Sequence, residues 1–182
     1  MGSSFQPAFN YMIRNEDSKV SGVVTPEPGG GQARLGINSV ANPQAVADGF
    51  YTMSLQGALM YAENLYQSQY WNGRGLDGIT SQQVASKVFD VGVNMGNGGV
   101  AVVLHGTQGV DSSNVVSSIN AMGSAAFLAN FVTALKEHYQ KIVDSNPTKY
   151  QKYLNAWLSR ATKLPAADVP VEQPEDELTR EA

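Results

Sequence analysis

Cysteine is absent from the 182 residues. That excludes thiol nucleophiles, disulfides and Cys-ligated zinc together, and it leaves the redox compartment open. Histidine is scarce. His105 and His138 stand alone, without Asp, Glu or a second His at ligand spacing, so neither a zinc site, a Ser-His-Asp arrangement nor any other cofactor is expected. Basic charge is also short: twelve Lys and Arg against sixteen Asp and Glu leave a net −4. Nucleic acid is therefore not an expected partner, since phosphate binding needs a basic face. No window has the apolar length to span a bilayer. Met1-Gly2-Ser3-Ser4-Phe5 lacks the basic and apolar regions of a signal peptide, which implies synthesis in the cytoplasm and delivery elsewhere by another route. The run Gly29-Gly30-Gly31 has no Lys-Ser/Thr after it, and Gly96-x-Gly98-Gly99 follows no strand, so phosphate cradling is not expected.

What is present reads as helices separated by two glycine-rich interruptions. A chain this long buries roughly 70% of its unfolded surface, enough for a core without staples. Ser3 or Ser4 is a cap for a first helix whose Phe5, Phe9, Met12 and Ile13 recur at helical spacing. From Val20 to Asn38, Pro26, Pro28 and the glycine run forbid a helix. Val23-Val24-Thr25 and Arg34-Leu35-Gly36-Ile37 favour short strands, giving an irregular β-hairpin lobe. A small helix is expected from Pro43 to Asp48 with Asn42 as cap, and a longer one capped by Ser54 that ends near Tyr70-Trp71-Asn72-Gly73. The next begins at Thr80 or Ser81 and stops at Asn94-Met95-Gly96-Asn97-Gly98-Gly99, with Val100 to Leu104 read as further helix. Apolar stripes mark two last helices over about 124–143 and 147–163. From Pro165 the apolar content is too low to pack, so 165–182 reads as a disordered acidic tail.

The residue that stands out is Glu16, at the last turn of the first helix. The carboxyl end of a helix carries partial negative charge, which favours the protonated form of an acid placed there, as a proton donor requires. Cleaving a glycosidic bond needs such a donor and a second group that activates water or stabilises developing positive charge. For that second group the candidates are Glu27 in the hairpin loop, Thr25 as a hydroxyl that holds a water, and Asp17. Asp17 has the poorest geometry, because neighbours on a helix end point in different directions.

Glu16, then Glu27-Pro28-Gly29-Gly30, then Leu35-Gly36-Ile37, then Tyr70-Trp71, then Phe89-Asp90-Val91-Gly92-Val93-Asn94-Met95-Gly96 follow one another along the chain. In that order these segments resemble glycoside hydrolase family 108, the N-acetylmuramidases. Tyr153-Leu154-Asn155-Ala156-Trp157-Leu158-Ser159-Arg160 is similar to the Leu-x-x-Trp-x-x-Arg ending of the helical peptidoglycan-binding domain that often follows. The chain departs from the pattern in having Asp17-Ser18-Lys19 where the family has Gly-Gly-Tyr, and Gln32 or Ala33 where many relatives place a Thr.

The resemblance implies a mostly α, lysozyme-like fold with a small β-hairpin lobe after the first helix. It divides the chain into a catalytic region over 1–97, a C-terminal helical peptidoglycan-binding region over 98–164 packed on it, and the tail over 165–182. It implies cleavage of the β-1,4 bond between N-acetylmuramic acid and N-acetylglucosamine with Glu16 as acid, and Tyr70, Trp71, Asp90 and Asn94 as substrate-binding residues. Trp157 with Arg160 reads as core packing plus a surface charge. The expected partners are peptidoglycan glycan strands and an immunity protein, with action in the periplasm or on the cell wall as endolysin, secretion-assisting muramidase or antibacterial effector. A non-catalytic wall-binding or secretion-accessory protein on the same scaffold is the rival, motivated by the altered residues after Glu16.

Overall fold

In a computed structural model that describes residues 2–27 and 30–168, the chain is mostly helical, with one small antiparallel sheet directly after the first helix. This is the architecture the lysozyme-like resemblance implies. Helix α1 (Phe5–Glu16) buries Phe5, Ala8, Phe9, Met12 and Ile13 along one stripe. Neither serine caps it with its side chain as expected. The Ser4 amide donates to Gln82 Oε1 at 2.7 Å while Gln82 Nε2 donates back to the Ser4 carbonyl at 2.9 Å, and Ser3 is tied to Leu76 and Ile79. The start of α1 is thereby fastened to the start of α4 (Gln82–Gly106), the helix it crosses.

The sheet has three strands in the order β1 (Thr25–Pro26), β2 (Gln32–Arg34) and β3 (Ile37–Asn38). Thr25 pairs with Ala33, and Arg34 pairs with Ile37. Arg34-Leu35-Gly36-Ile37 was expected to be one strand. It is instead the tight turn between two, with Leu35 at φ +49° and Gly36 at φ +78°. Two consecutive left-handed residues make the turn whose twist matches its flanking strands. Leu35 accepts that conformation with its side chain buried.

Asn42 and Pro43 open α2 (Pro43–Ala47), and Ser54 caps α3 (Leu55–Tyr66) by accepting from the Gly57 amide at 3.2 Å. A π turn over Gln67–Trp71 ends that segment. Ser81 caps α4, which breaks at Gly96 (φ +79°, ψ 163°) and resumes. The expected boundary between residues 97 and 98 falls inside this helix, one residue past the break. α5 (Val115–Met122), α6 (Ser124–Ser145), α7 (Pro147–Tyr150) and α8 (Leu154–Thr162) complete the chain. The last expected helix is thus two, joined by a tighter turn over Gln151–Tyr153.

One buried hydrophobic cluster runs from Phe5 to Ala161 and takes residues from α1, α3, α4, α6 and α8. At its base Phe5, Trp71 and Phe89 meet edge to face, with ring centres 5.6–5.7 Å apart. Pro165 to Asp168, expected to be unpacked, lie on the start of α4. The Asp168 carboxylate accepts from the Gln83 amide at 2.8 Å and from the Ser81 hydroxyl, and Gln83 Nε2 donates to the Pro165 carbonyl. The rest of the expected tail, 169–182, lies outside the described residues. Among the described residues no single helix is long and apolar enough to cross a membrane.

Candidate active site

Glu16 is the last residue of α1, where the apolar stripe runs out and the chain turns toward the sheet. The β2–β3 turn packs directly on it. A Cβ built on Gly36 would stand 2.8 Å from Glu16 Cγ and 2.7 Å from the Tyr66 hydroxyl, so only glycine fits there. The buried Tyr66 hydroxyl donates to the Leu35 carbonyl at 2.9 Å and pins the turn from the other side. Burial, with the negative charge of Glu16 nearby, holds the Tyr66 phenol far above its ordinary pKa.

Glu16 and Gly36 line two adjoining depressions. The larger, about 490 Å³, is bordered by Ser21, Thr25, Glu27, Ala33, Arg34 and Asn38. The smaller, about 180 Å³, is bordered by Asn42, Tyr66, Gln69, Tyr70 and Asn94. The acid therefore stands where one meets the other, on the floor of a bipartite groove with a solvated mouth. Its side chain is 19% exposed.

Behind the groove, Glu16 is held by the last helix. Arg160 Nη2 donates to Glu16 Oε1 at 2.6 Å and to Asp90 Oδ1 at 2.9 Å. Asp90 is 0% exposed and also accepts from Asn15 Nδ2 at 3.0 Å. Burial works against the Arg160 charge, but Asp90 and Glu16 outweigh it and hold the guanidinium pKa above its ordinary value. Lys87, also 0% exposed, lies three residues before Asp90 on α4. Its Nζ donates to the Arg160 and Lys163 carbonyls, both at 2.8 Å, which satisfies the carboxyl end of α8. Burial pushes its pKa down to about 8, with Asp90 opposing and Arg160 and Lys163 adding to the shift.

The expected site residues separate into those that reach the groove and those that do not. Thr25 and Glu27 line its larger part, on the lobe. Thr25 is the register partner of Ala33, so the two side chains share one face of the sheet. The hydroxyl missing at Ala33 is thus offered from across the strand pair. Thr25 Oγ1 has a long bond of 3.5 Å to the Ala33 carbonyl and is exposed. Asp17 spends its carboxylate on the loop that follows α1, accepting from the Gly22 amide at 2.8 Å, from the Ser21 hydroxyl and from the Lys19 amide. Burial opposes its charge, but these donors more than offset it and depress its pKa.

Tyr70 and Asn94 border the smaller depression, and Asn94 Oδ1 accepts from the Tyr139 hydroxyl at 2.7 Å. Trp71 and Asp90 are corrections. Trp71 is 6% exposed between Phe5 and Phe89, so its ring faces serve the core and are closed to a sugar. Asp90 is sealed beneath Arg160 and cannot touch a substrate; it is a buried counter-charge. Arg160, expected as a surface charge, is instead the residue that holds Glu16 and Asp90 together. The pattern ending in Arg160 was visible, but nothing local joins it to a glutamate 144 residues away. The neighbouring Trp157 is a packing residue as expected, stacked on Tyr139 and Tyr153. Among the described residues no three His, Asp or Glu side chains cluster to hold a metal ion.

Residues 17–96 match the family model described as Glycosyl hydrolase 108. No curated protein and no solved structure matches the chain. The matched segment opens one residue after Glu16, spans the lobe and α3, and closes at the glycine that breaks α4. The likeness to glycosyl hydrolase family 108 therefore rests on this segment of 80 of the 182 residues.

Proposed function

We propose that the protein cleaves the β-1,4 bond between N-acetylmuramic acid and N-acetylglucosamine in peptidoglycan, with Glu16 as general acid. The match of residues 17–96 to that family's model supports a peptidoglycan hydrolase of the muramidase type; the bond and the residues are our reading. The observation that carries it is the position of Glu16 at the junction of two depressions, where a sugar on each side would bring the linking oxygen over the carboxyl group.

Arg160 occupies Oε1 and, among the described residues, nothing bonds Oε2. Oε2 is thus the oxygen left free to deliver a proton to the substrate. Once it is given to the leaving oxygen, the carboxylate left behind faces a guanidinium already in place, which stabilises the charge that develops. Asp90, by sharing that guanidinium, keeps the Arg160 charge from being spent on Glu16 alone.

The second group comes from the lobe. Thr25 holds the attacking water in our reading and Glu27 activates it. Direct water attack with inversion calls for carboxyl groups about 6.5–9.5 Å apart, whereas about 5–5.5 Å favours a covalent intermediate. We favour inversion. Tyr70 and Asn94 line the path of the glycan in the smaller depression.

The test is clearing of purified peptidoglycan, with mass spectrometry of the products. Reducing-end muramic acid is expected from the wild type, and Glu16→Gln is expected to lose at least a hundredfold in rate, the scale of a lost general acid. Retained clearing by Glu16→Gln, or reducing glucosamine or anhydro ends, would overturn the assignment. The ion pair on Glu16 also favours a second reading, a wall-binding protein without turnover; binding with no new reducing ends would establish it. The role we propose is an endolysin, secretion-assisting muramidase or antibacterial effector made in the cytoplasm and delivered to the wall, with an immunity protein as partner of the effector form.

A further inference from the structure

Arg34 is 6% exposed, yet no carboxylate pairs with it among the described residues, where the ion pairs are those of Arg160. Its Nε donates to the Gly22 carbonyl at 2.7 Å. Nη1 donates to the carbonyls of Phe50 at 2.7 Å and Met53 at 2.9 Å, and the guanidinium lies 5.7 Å over the Phe50 ring. Three carbonyls and a ring fix its plane without neutralising its charge. A buried cation without a counter-charge is unfavourable, and an anion that paired with it would relieve that cost.

The remaining nitrogen indicates where that anion sits. Nη2 has no hydrogen-bond partner among the described residues, while no fully buried side-chain nitrogen or oxygen there lacks one. Nη2 is therefore open to solvent, and Arg34 borders the larger depression. It is the one cationic residue on that border among the described residues. Three acidic residues share that border: Glu16 is committed in part to Arg160 and Asp17 to the loop amides, while Glu27 makes no ion pair with Arg34 among the described residues. An immobilised guanidinium with a free donor edge is a preorganised carboxylate receptor.

Resting on the muramidase reading above, we propose that Arg34 is a specificity residue that binds a carboxylate of the wall glycan. Two sources present that chemistry, the lactyl carboxylate of muramic acid on strands stripped of peptide and an acid of the stem peptide. The first would place this protein after a reaction that removes the stem by hydrolysing its amide bond to the lactyl group.

The test uses the wild-type protein and soluble fragments, followed by nuclear magnetic resonance of the Arg34 Nε–H signal. N-acetylmuramic acid is compared with its methyl ester, and a muramyl dipeptide with a free stem acid is compared with its amidated form. The free acid of one pair is expected to bind about tenfold tighter than its neutral counterpart and to shift the Arg34 signal, as one charge-assisted hydrogen bond provides. A preference in the first pair assigns the lactyl carboxylate, and in the second the stem acid. In Arg34→Gln the preference is expected to vanish, and in Arg34→Lys to survive in part. If neither acid shifts the Arg34 signal more than its neutral form, the inference fails, whether or not walls are cleared. Loss of wall clearing with the acid preference intact would instead count against the muramidase reading alone.

Discussion

Gly36 meets Glu16 and the Tyr66 hydroxyl so closely that no side chain fits between them. It also sits at φ +78°, a backbone conformation that alanine adopts only under strain. Gly36→Ala is expected to cost about 1–3 kcal/mol in urea unfolding and to reduce wall clearing more than tenfold, because the turn and the acid must move apart. Near-native activity would show that Glu16 does not depend on the turn. Tyr66→Phe leaves the Leu35 carbonyl without its donor and is expected to cost about 1–3 kcal/mol, with a smaller loss of rate, since no atom enters the groove.

At the scale of elements, α4 and α8 are joined by charge as well as by packing. Lys87 and Asp90, three residues apart and so on one face of α4, take the carbonyl end of α8 and the Arg160 side chain respectively. Asp90→Ala leaves the Arg160 guanidinium half-buried with Glu16 alone, and is expected to cost about 3–5 kcal/mol by chemical denaturation. Lys87 adds a pH dependence. Its native pKa of about 8 lies below the unfolded value of 10.5, so between those values the unfolded chain binds the extra proton. The Lys87 contribution therefore opposes folding below about pH 8 and is relieved as pH rises toward 10.5. The stability of wild type relative to Lys87→Met is expected to rise by about 2–3 kcal/mol across that window. A flat difference would mean that Lys87 is solvated.

For the whole molecule, three phenols set the alkaline limit. Burial is the main cause that pushes Tyr11 and Tyr139 up to about 12, and it pushes Tyr66 further. A raised native pKa for an acid stabilises the fold fully below the unfolded value near 10 and loses that stabilisation as pH climbs through about 12. Titration of tyrosinate absorbance should show these residues ionising together with loss of helical circular dichroism, after the exposed tyrosines. Gradual ionisation with the helices intact would contradict it. The candidate site also draws on both ends of the chain: a fragment of residues 1–97 keeps Glu16 and the lobe but lacks Arg160, and it is expected not to clear walls even at high concentration.

Periodic apolar residues made α1, α3, the first half of α4 and α6 legible, because each helix buries one stripe whatever its neighbours are. Ser54 announced its helix and Thr80 or Ser81 the next, of which Ser81 is the cap, since a cap acts within three residues. The position of Glu16 at the end of α1 and the presence of a small β lobe after it could be read for the same reason, since helix end, turn and glycine are local features, although Arg34–Ile37 forms a turn and not one strand. Trp71, Asp90 and Arg160 could not. An aromatic beside a helix end is equally suited to a core or a sugar, and the position of Phe5 and Phe89 decides between them. The amino-acid order by itself determined which stretches are helical and that a carboxyl group stands at the end of the first. Only the tertiary structure decided which charges meet, because Arg160 reaches Asp90 and Glu16 across 70 and 144 residues of chain, and electrostatic attraction depends on distance through space, which no spacing along the chain records.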